Sequence, residues 1–104
     1  MAKYNKYRAK KCTIDGFKFD SMKEGRRYQE LVLMQRAGQI SELILQPAFE
    51  IKVNGQLICK YIADFRYIEK GEDVIEDVKG VKTAAFQLKR KLMKAVHDID
   101  IRIT

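Results

Sequence analysis

Short alternating runs of apolar and polar residues, separated by turn dipeptides, fill most of the chain, and two stretches of helical period interrupt them. Cys12-Thr13-Ile14 and Phe17-Lys18-Phe19 bracket Asp15-Gly16, the dipeptide of a tight type I′ hairpin. Asp20-Ser21 then opens a helix. Ser21 with Glu24 three residues on forms a capping box, and Gly38 after Ala37 supplies the stop. Glu24 falls in the stripe of Tyr28, Leu31 and Val32, which points its carboxylate inward. Ile40 to Leu45, Phe49 to Val53 and Leu57 to Tyr61 follow as strands, separated by Gln46-Pro47 and Asn54-Gly55. Two β-branched and aromatic runs, Tyr61 to Ile68 and Val74 to Lys79, flank the five-residue polar stretch Glu69 to Asp73 and read as a further hairpin turning near Gly71. Thr83 caps a second helix reaching about Val96. Its inward stripe is expected at Ala85, Leu88, Leu92 and Val96, with Gln87, Arg90, Lys91 and Lys94 on the opposite arc. Ile99, Ile101 and Ile103 alternate as a last strand.

Strand, helix and strand from Val74 to Ile103 make a βαβ unit, so the last strand should run parallel to the one carrying Asp77, with a right-handed crossover. The expected class is α/β, a mixed central sheet with a helix on each face and an extra N-terminal hairpin. Residues 1–11 are expected to be a basic, flexible arm and residues 12–104 a single domain.

The Asp64/Asp77 hairpin carries the chemistry. With the turn near Gly71, antiparallel pairing sets Asp64 almost directly across from Asp77, where facing Cβ atoms lie roughly 4.5–5.5 Å apart. Like charges there repel unless a cation sits between them. Oxygen ligands at that separation suit Mg²⁺ or Mn²⁺, and alternation puts Lys79 on the same face, where it can orient a water or stabilise charge on a phosphate. Alternating charges also decorate ordinary solvated hairpins. Such a face sets opposite signs against each other, whereas this register sets two carboxylates together. Glu24 is placed to join them as a third ligand, although its capping position explains it structurally as well. Glu76 alternates to the other face and is assigned a structural or rim role.

Charge adds a partner. The net charge is +7 over 104 residues. Residues 1–11 and 79–94 together hold eleven lysines and arginines and no acid, so the rest of the chain is net acidic. A basic arm with Lys3, Lys6 and Arg8 interleaved with Tyr4 and Tyr7, and a basic segment with Lys82, Lys89, Arg90, Lys91 and Lys94, form the footprint expected for a polyphosphate such as DNA. Lys89 lies beside the apolar stripe, where its stem packs while the ammonium snorkels outward. No run approaches the ~20 apolar residues of a membrane span, and Met1-Ala2-Lys3-Tyr4 lacks the apolar stretch of a signal peptide, so a cytoplasmic location is expected. Cys12 and Cys59 are far apart without CxxC spacing and fit reduced, buried thiols. His97 is the single histidine, which excludes a zinc cluster and leaves serine or cysteine nucleophilic catalysis without support.

Asp64, then Asp77-Val78-Lys79 on the next strand, with Glu24 on the preceding helix and a helix after the lysine, resembles the PD-(D/E)XK nuclease superfamily. The resemblance runs from about Cys12 to Thr104 and is most similar to small phage- and prophage-encoded members organised like junction-resolving endonucleases. It implies a restriction-endonuclease-like αβββαβ core, metal ligation by Asp64, Asp77 and the Val78 carbonyl, an accessory acid at Glu24 and a catalytic lysine at Lys79. Ala63 stands where the family has its proline, and Asp77 is the shorter of the two acids allowed before the lysine. Neither departure removes a ligand. The resemblance implies a Mg²⁺-dependent endodeoxyribonuclease acting on duplex or branched DNA in phage DNA recombination or processing within a bacterial host. The alternative is a catalytically silent DNA-binding accessory protein of the same fold. Cutting both strands would call for a C2 homodimer, for which Leu33, on the polar face of the first helix, is a candidate contact.

Overall fold

The computed structural model describes residues 10–104. In chain order the elements are β1 (Cys12–Ile14), β2 (Phe17–Phe19), α1 (Met22–Arg36), β3 (Ser41–Leu45), β4 (Ala48–Val53), β5 (Gln56–Ile62), β6 (Phe65–Glu69), β7 (Glu72–Asp77), α2 (Ala84–His97) and β8 (Arg102–Ile103). The order β3-β6-β7-β8 forms a four-stranded sheet, antiparallel except for the parallel β7/β8 pair. Among the described residues this is a mixed α/β fold with two helices. The pairs β1/β2 and β4/β5 stand as separate two-stranded sheets.

Local chemistry accounts for most boundaries. Asp15-Gly16, Asn54-Gly55 and Lys70-Gly71 take positive φ at both positions, the geometry of two-residue hairpin turns. The β6/β7 connection is therefore two residues long rather than five, because Glu69 already pairs with Glu72. Ser21 Oγ accepts from the Glu24 amide at 3.0 Å and Thr83 Oγ1 from the Phe86 amide at 3.1 Å, so both expected caps start their helices. The last strand is shorter than its isoleucine alternation implies. Asp98 ends α2 in the left-handed conformation and the Ile99 amide still bonds to Met93 O, so pairing with β7 begins only at Arg102.

The sheet separates two apolar clusters. Phe65 and Tyr67 of β6 and Val74 of β7 pack with Phe19, Tyr28, Leu31 and Ile40 on the α1 side. Ile75 of β7 packs with Ile51, Tyr61, Ala63, Phe86, Met93 and Ile101 on the side of α2 and β4/β5. Each fully buried large apolar side chain contributes about 1.5–3 kcal/mol. Within α1 the inward residues Glu24, Tyr28 and Leu31 are those the stripe predicts. Within α2 the expected stripe is corrected. Phe86 and Met93 are buried and Leu92 packs half-buried against the same cluster, whereas Leu88 is 59% exposed and Val96 and Ala85 are exposed. The larger Phe86 and Met93 side chains fill the space under β4/β5, which turns the helix by about a quarter revolution from the aliphatic stripe. Among the described residues no helix is long and apolar enough to cross a membrane.

Candidate active site

Three elements bring carboxylates to one corner of the sheet. Glu24 lies in the first turn of α1 and is 6% exposed. Asp64 sits in a bend just before β6; its amide donates to Glu76 O at 3.1 Å, and its Oδ2 accepts from the Val78 amide at 2.7 Å. Asp77 ends β7 at 1% exposure, and its Oδ2 accepts from the Tyr61 hydroxyl. The ladder itself closes at Phe65↔Glu76, one step before the anticipated Asp64/Asp77 pair. Asp64 leaves the strand at that point and lays its carboxylate across the end of β7. The two carboxyls still meet.

Lys79 completes the corner. Its amide donates to Thr104 O at 3.2 Å, keeping the backbone beside β8 after β7 ends. Its ammonium lies 3.8 Å from Asp77 Oδ2 and 4.5 Å from the Phe86 ring centroid, so one ion pair and one cation–π contact fix a side chain that is 28% exposed. The corner opens into a cleft of about 480 Å³ lined by Asp20, Lys23, Glu24, Asp64, Val78 and Lys79, among others.

Crowding of acids dominates the electrostatics. Burial, then the hydrogen bond and charge of Asp77 and the charge of Glu24, push Asp64 up to about 8 against the opposing Val78 amide. Glu24 is also raised, by burial and the Asp20 charge first and by Asp77 last, with hydrogen bonds to Asp64 and the Asp20 backbone pulling the other way. Burial and the adjacent Asp77 raise the Tyr61 phenol, which stays a hydrogen-bond donor. The protein thus crowds more carboxyl groups here than Lys79 can offset, and without a cation they are driven towards their protonated forms. Hard oxygen donors in excess fit a divalent cation of the Mg²⁺ or Mn²⁺ type. Among the described residues, however, no three carboxylate, thiolate or imidazole groups already stand in a metal-ligating arrangement.

Glu24, Asp64, Asp77, Val78 and Lys79 therefore all reach one corner. The basic residues divide. Lys89 lines a groove adjoining the cleft, and Lys82 is exposed on the segment between Lys79 and α2. Arg90, Lys91 and Lys94 line a separate groove of about 270 Å³ that also contains Asp100. Lys94 is held there by Asp98 at 2.9 Å and Asp100 at 3.1 Å. Lys3, Lys6 and Arg8 lie outside the described residues. His97 sets Nε2 2.8 Å from Glu50 O and packs near Phe49, a structural position. Cys12 and Cys59 are free and half-buried.

Glu76 is on the opposite face, as alternation requires, but in no sense on a rim: it is 0% exposed. Its carboxylate accepts from Arg27 Nε at 2.7 Å and Nη2 at 3.0 Å, from Tyr67 at 2.5 Å and from Thr104 Oγ1 at 2.9 Å. This network ties α1, which carries Glu24, to β7, which carries Asp77. Sequence reasoning missed Arg27, Tyr61, Lys23 and Lys60. The i, i+3 spacing of Glu24 and Arg27 could have indicated that both face the sheet; no local signal marks the other three.

The chain belongs to the family described as Protein of unknown function (DUF1064), whose model matches residues 4–104. No curated protein and no solved structure matches it.

Proposed function

We propose that the protein is a divalent-metal-dependent endodeoxyribonuclease of the PD-(D/E)XK kind, hydrolysing phosphodiesters of duplex or branched DNA in phage DNA recombination or processing. The observation that carries the reading is the meeting of Glu24, Asp64 and Lys79, which line one cleft, with the buried Asp77 directly behind them. The order α1, β3, β6, β7, α2, β8 agrees with the αβββαβ core of that superfamily, with β4/β5 as an insertion and β1/β2 as the N-terminal addition.

Asp64, Asp77, Glu24 and the Val78 carbonyl would hold Mg²⁺ or Mn²⁺. When bound, the metal supplies Lewis-acid polarisation of the phosphate and a water of lowered pKa. The chain's own groups do the rest. Tyr61 fixes the Asp77 carboxylate by donating to Oδ2, which leaves Oδ1 for other work. Lys79, held between Asp77 and Phe86, offers a fixed cation to charge that grows on the phosphoryl oxygens. Lys23, exposed on the cleft wall, neutralises a neighbouring phosphate.

Supercoiled plasmid and synthetic four-way junctions, incubated with Mg²⁺ or with EDTA, test the proposal. Cleavage should require the metal, and Asp77→Ala and Lys79→Ala should each lose roughly a hundredfold or more in single-turnover rate while still binding DNA. A Lys79→Ala protein that cuts at the wild-type rate once saturated would refute the assignment. Binding without cleavage in Mg²⁺ would favour the silent accessory protein instead.

A further inference from the structure

Between β3 and β6 the chain leaves the main sheet to form β4/β5, whose strands pair with each other alone among the described residues. Packing holds this hairpin in place, through Ile51 and Tyr61 against Phe86 and Met93 of α2. Along β5, Tyr61 turns inward to Asp77, so its neighbours Lys60 and Ile62 turn outward, and both are exposed. With Lys79, Thr83 and Lys89 they line a groove of about 320 Å³. That groove shares Lys79 and Thr83 with the carboxylate cleft, making one trough that passes the proposed catalytic lysine.

Charge sets this trough apart from the other basic face. Its β5/α2 half is lined by three lysines and no carboxylate. Among the described residues neither Lys60 nor Lys89 is in an ion pair. The groove on the other side of α2 contains Asp100, and its Lys94 is already paired twice.

Building on the nuclease reading, we infer that β4/β5 is a strand-binding arm. The backbone of a DNA strand whose scissile phosphate lies at Asp64, Asp77 and Lys79 continues over Lys60 and Lys89, with Ile62 against its sugars, and does not follow the Arg90/Lys91/Lys94 arc. Two unpaired lysines on one trough each release counterions when they meet a phosphate. On a single strand that is about 0.7 per contact in the slope of log K against log salt, so about 1.4 for both.

The test compares Lys60→Ala/Lys89→Ala with Arg90→Ala/Lys91→Ala in the full chain, with circular dichroism confirming that each folds. Anisotropy of a fluorescein-labelled DNA strand, alone and in duplex, is read in Ca²⁺ between about 50 and 200 mM salt. The trough pair should flatten the single-strand slope by about 1.4 and weaken binding roughly 25-fold at about 0.1 M salt, and the outer pair should leave both near wild type. An outer pair that carries as much of the slope as the trough pair, or a wild-type chain that binds neither probe, overturns the inference. Cleavage is read separately in Mg²⁺. Wild-type binding through Lys60 and Lys89 without any cutting would sink the nuclease reading and leave the arm standing.

Discussion

Asp64→Asn separates the electrostatic burden of the site from its proposed chemistry. The folded chain holds Asp64 up to about 8, against an ordinary value of 3.8, chiefly because the carboxyl is buried beside Asp77. Between those values the folded state keeps a proton that the unfolded state releases, so stability falls as pH rises from about 4 towards 8 and is flat above. At ~1.36 kcal/mol for each tenfold change in proton affinity, the ceiling is roughly 6 kcal/mol. Asp64 retains some solvent contact and shares its charge with Asp77 and Glu24, which brings the expected cost to roughly 2–3 kcal/mol. Asparagine imitates the protonated acid. Its carbonyl can accept from the Val78 amide and its NH₂ can donate towards Asp77, without the charge.

In metal-free buffer, Asp64→Asn should therefore match wild type only below the unfolded value, at about pH 3.5, and exceed it near pH 8.5 by roughly 2–3 kcal/mol, or on the order of 10 °C in melting temperature for a domain of this size. Adding Mg²⁺ should stabilise wild type, in proportion to the logarithm of metal concentration over Kd, and so narrow the gap. Activity should be lost at every pH. Thermal melts at the two pH values, with and without Mg²⁺, decide the matter. A variant less stable than wild type at pH 8.5 would show that Asp64 is ionised and well compensated in the fold, and the crowding argument would fail.

The Glu76 network should show the opposite pH dependence. Burial alone would raise Glu76, but hydrogen bonds from Arg27, Tyr67 and Thr104 hold it below the usual 4.5, so its contribution is present above that value and is lost as pH falls through the folded pKa. Glu76→Gln should cost about 3 kcal/mol at neutral pH in urea melts, because Arg27 loses its buried counter-ion and keeps only the exposed Glu30, with the difference from wild type shrinking in acid; a difference constant with pH would remove the ion pair from the explanation. Gly25→Ala should destabilise despite alanine's better helix propensity, because the new Cβ would lie 2.6 Å from Cys12 Sγ and 2.9 Å from Ile14 Cδ1. The expected loss is about 1–3 kcal/mol, partly recovered by adding Cys12→Ala, and a stabilised single variant would mean that β1 yields to α1.

Whatever depended on a residue and its near neighbours could be read from the sequence. Asp15-Gly16 and Asn54-Gly55 specify hairpins because few other dipeptides accept two positive φ values, and Ser21 and Thr83 satisfy amides only two or three residues away. The Phe65↔Glu76 register follows from the turn in the same way, and with it the approach of Asp64 to Asp77. The orientation of α2 was not legible. Its wheel offers Ala85, Leu88, Leu92 and Val96 on one arc and Phe86, Lys89 and Met93 on the next, and hydrophobicity alone favours the first. The choice is made by the shape of the space beneath Ile51 and Tyr61, and those residues belong to a hairpin that could not be known to leave the main sheet. That one tertiary fact changes the assignment of charge. Turning the helix brings Lys89 towards the cleft beside Lys60 and carries Arg90 and Lys91 round towards Asp100, so one basic helix acquires an unpaired face along the trough and a partly neutralised one behind it. The same packing that buries Tyr61 against Phe86 and Met93 also delivers its hydroxyl to Asp77, which makes the β4/β5 hairpin a structural part of the carboxylate corner as well as its neighbour.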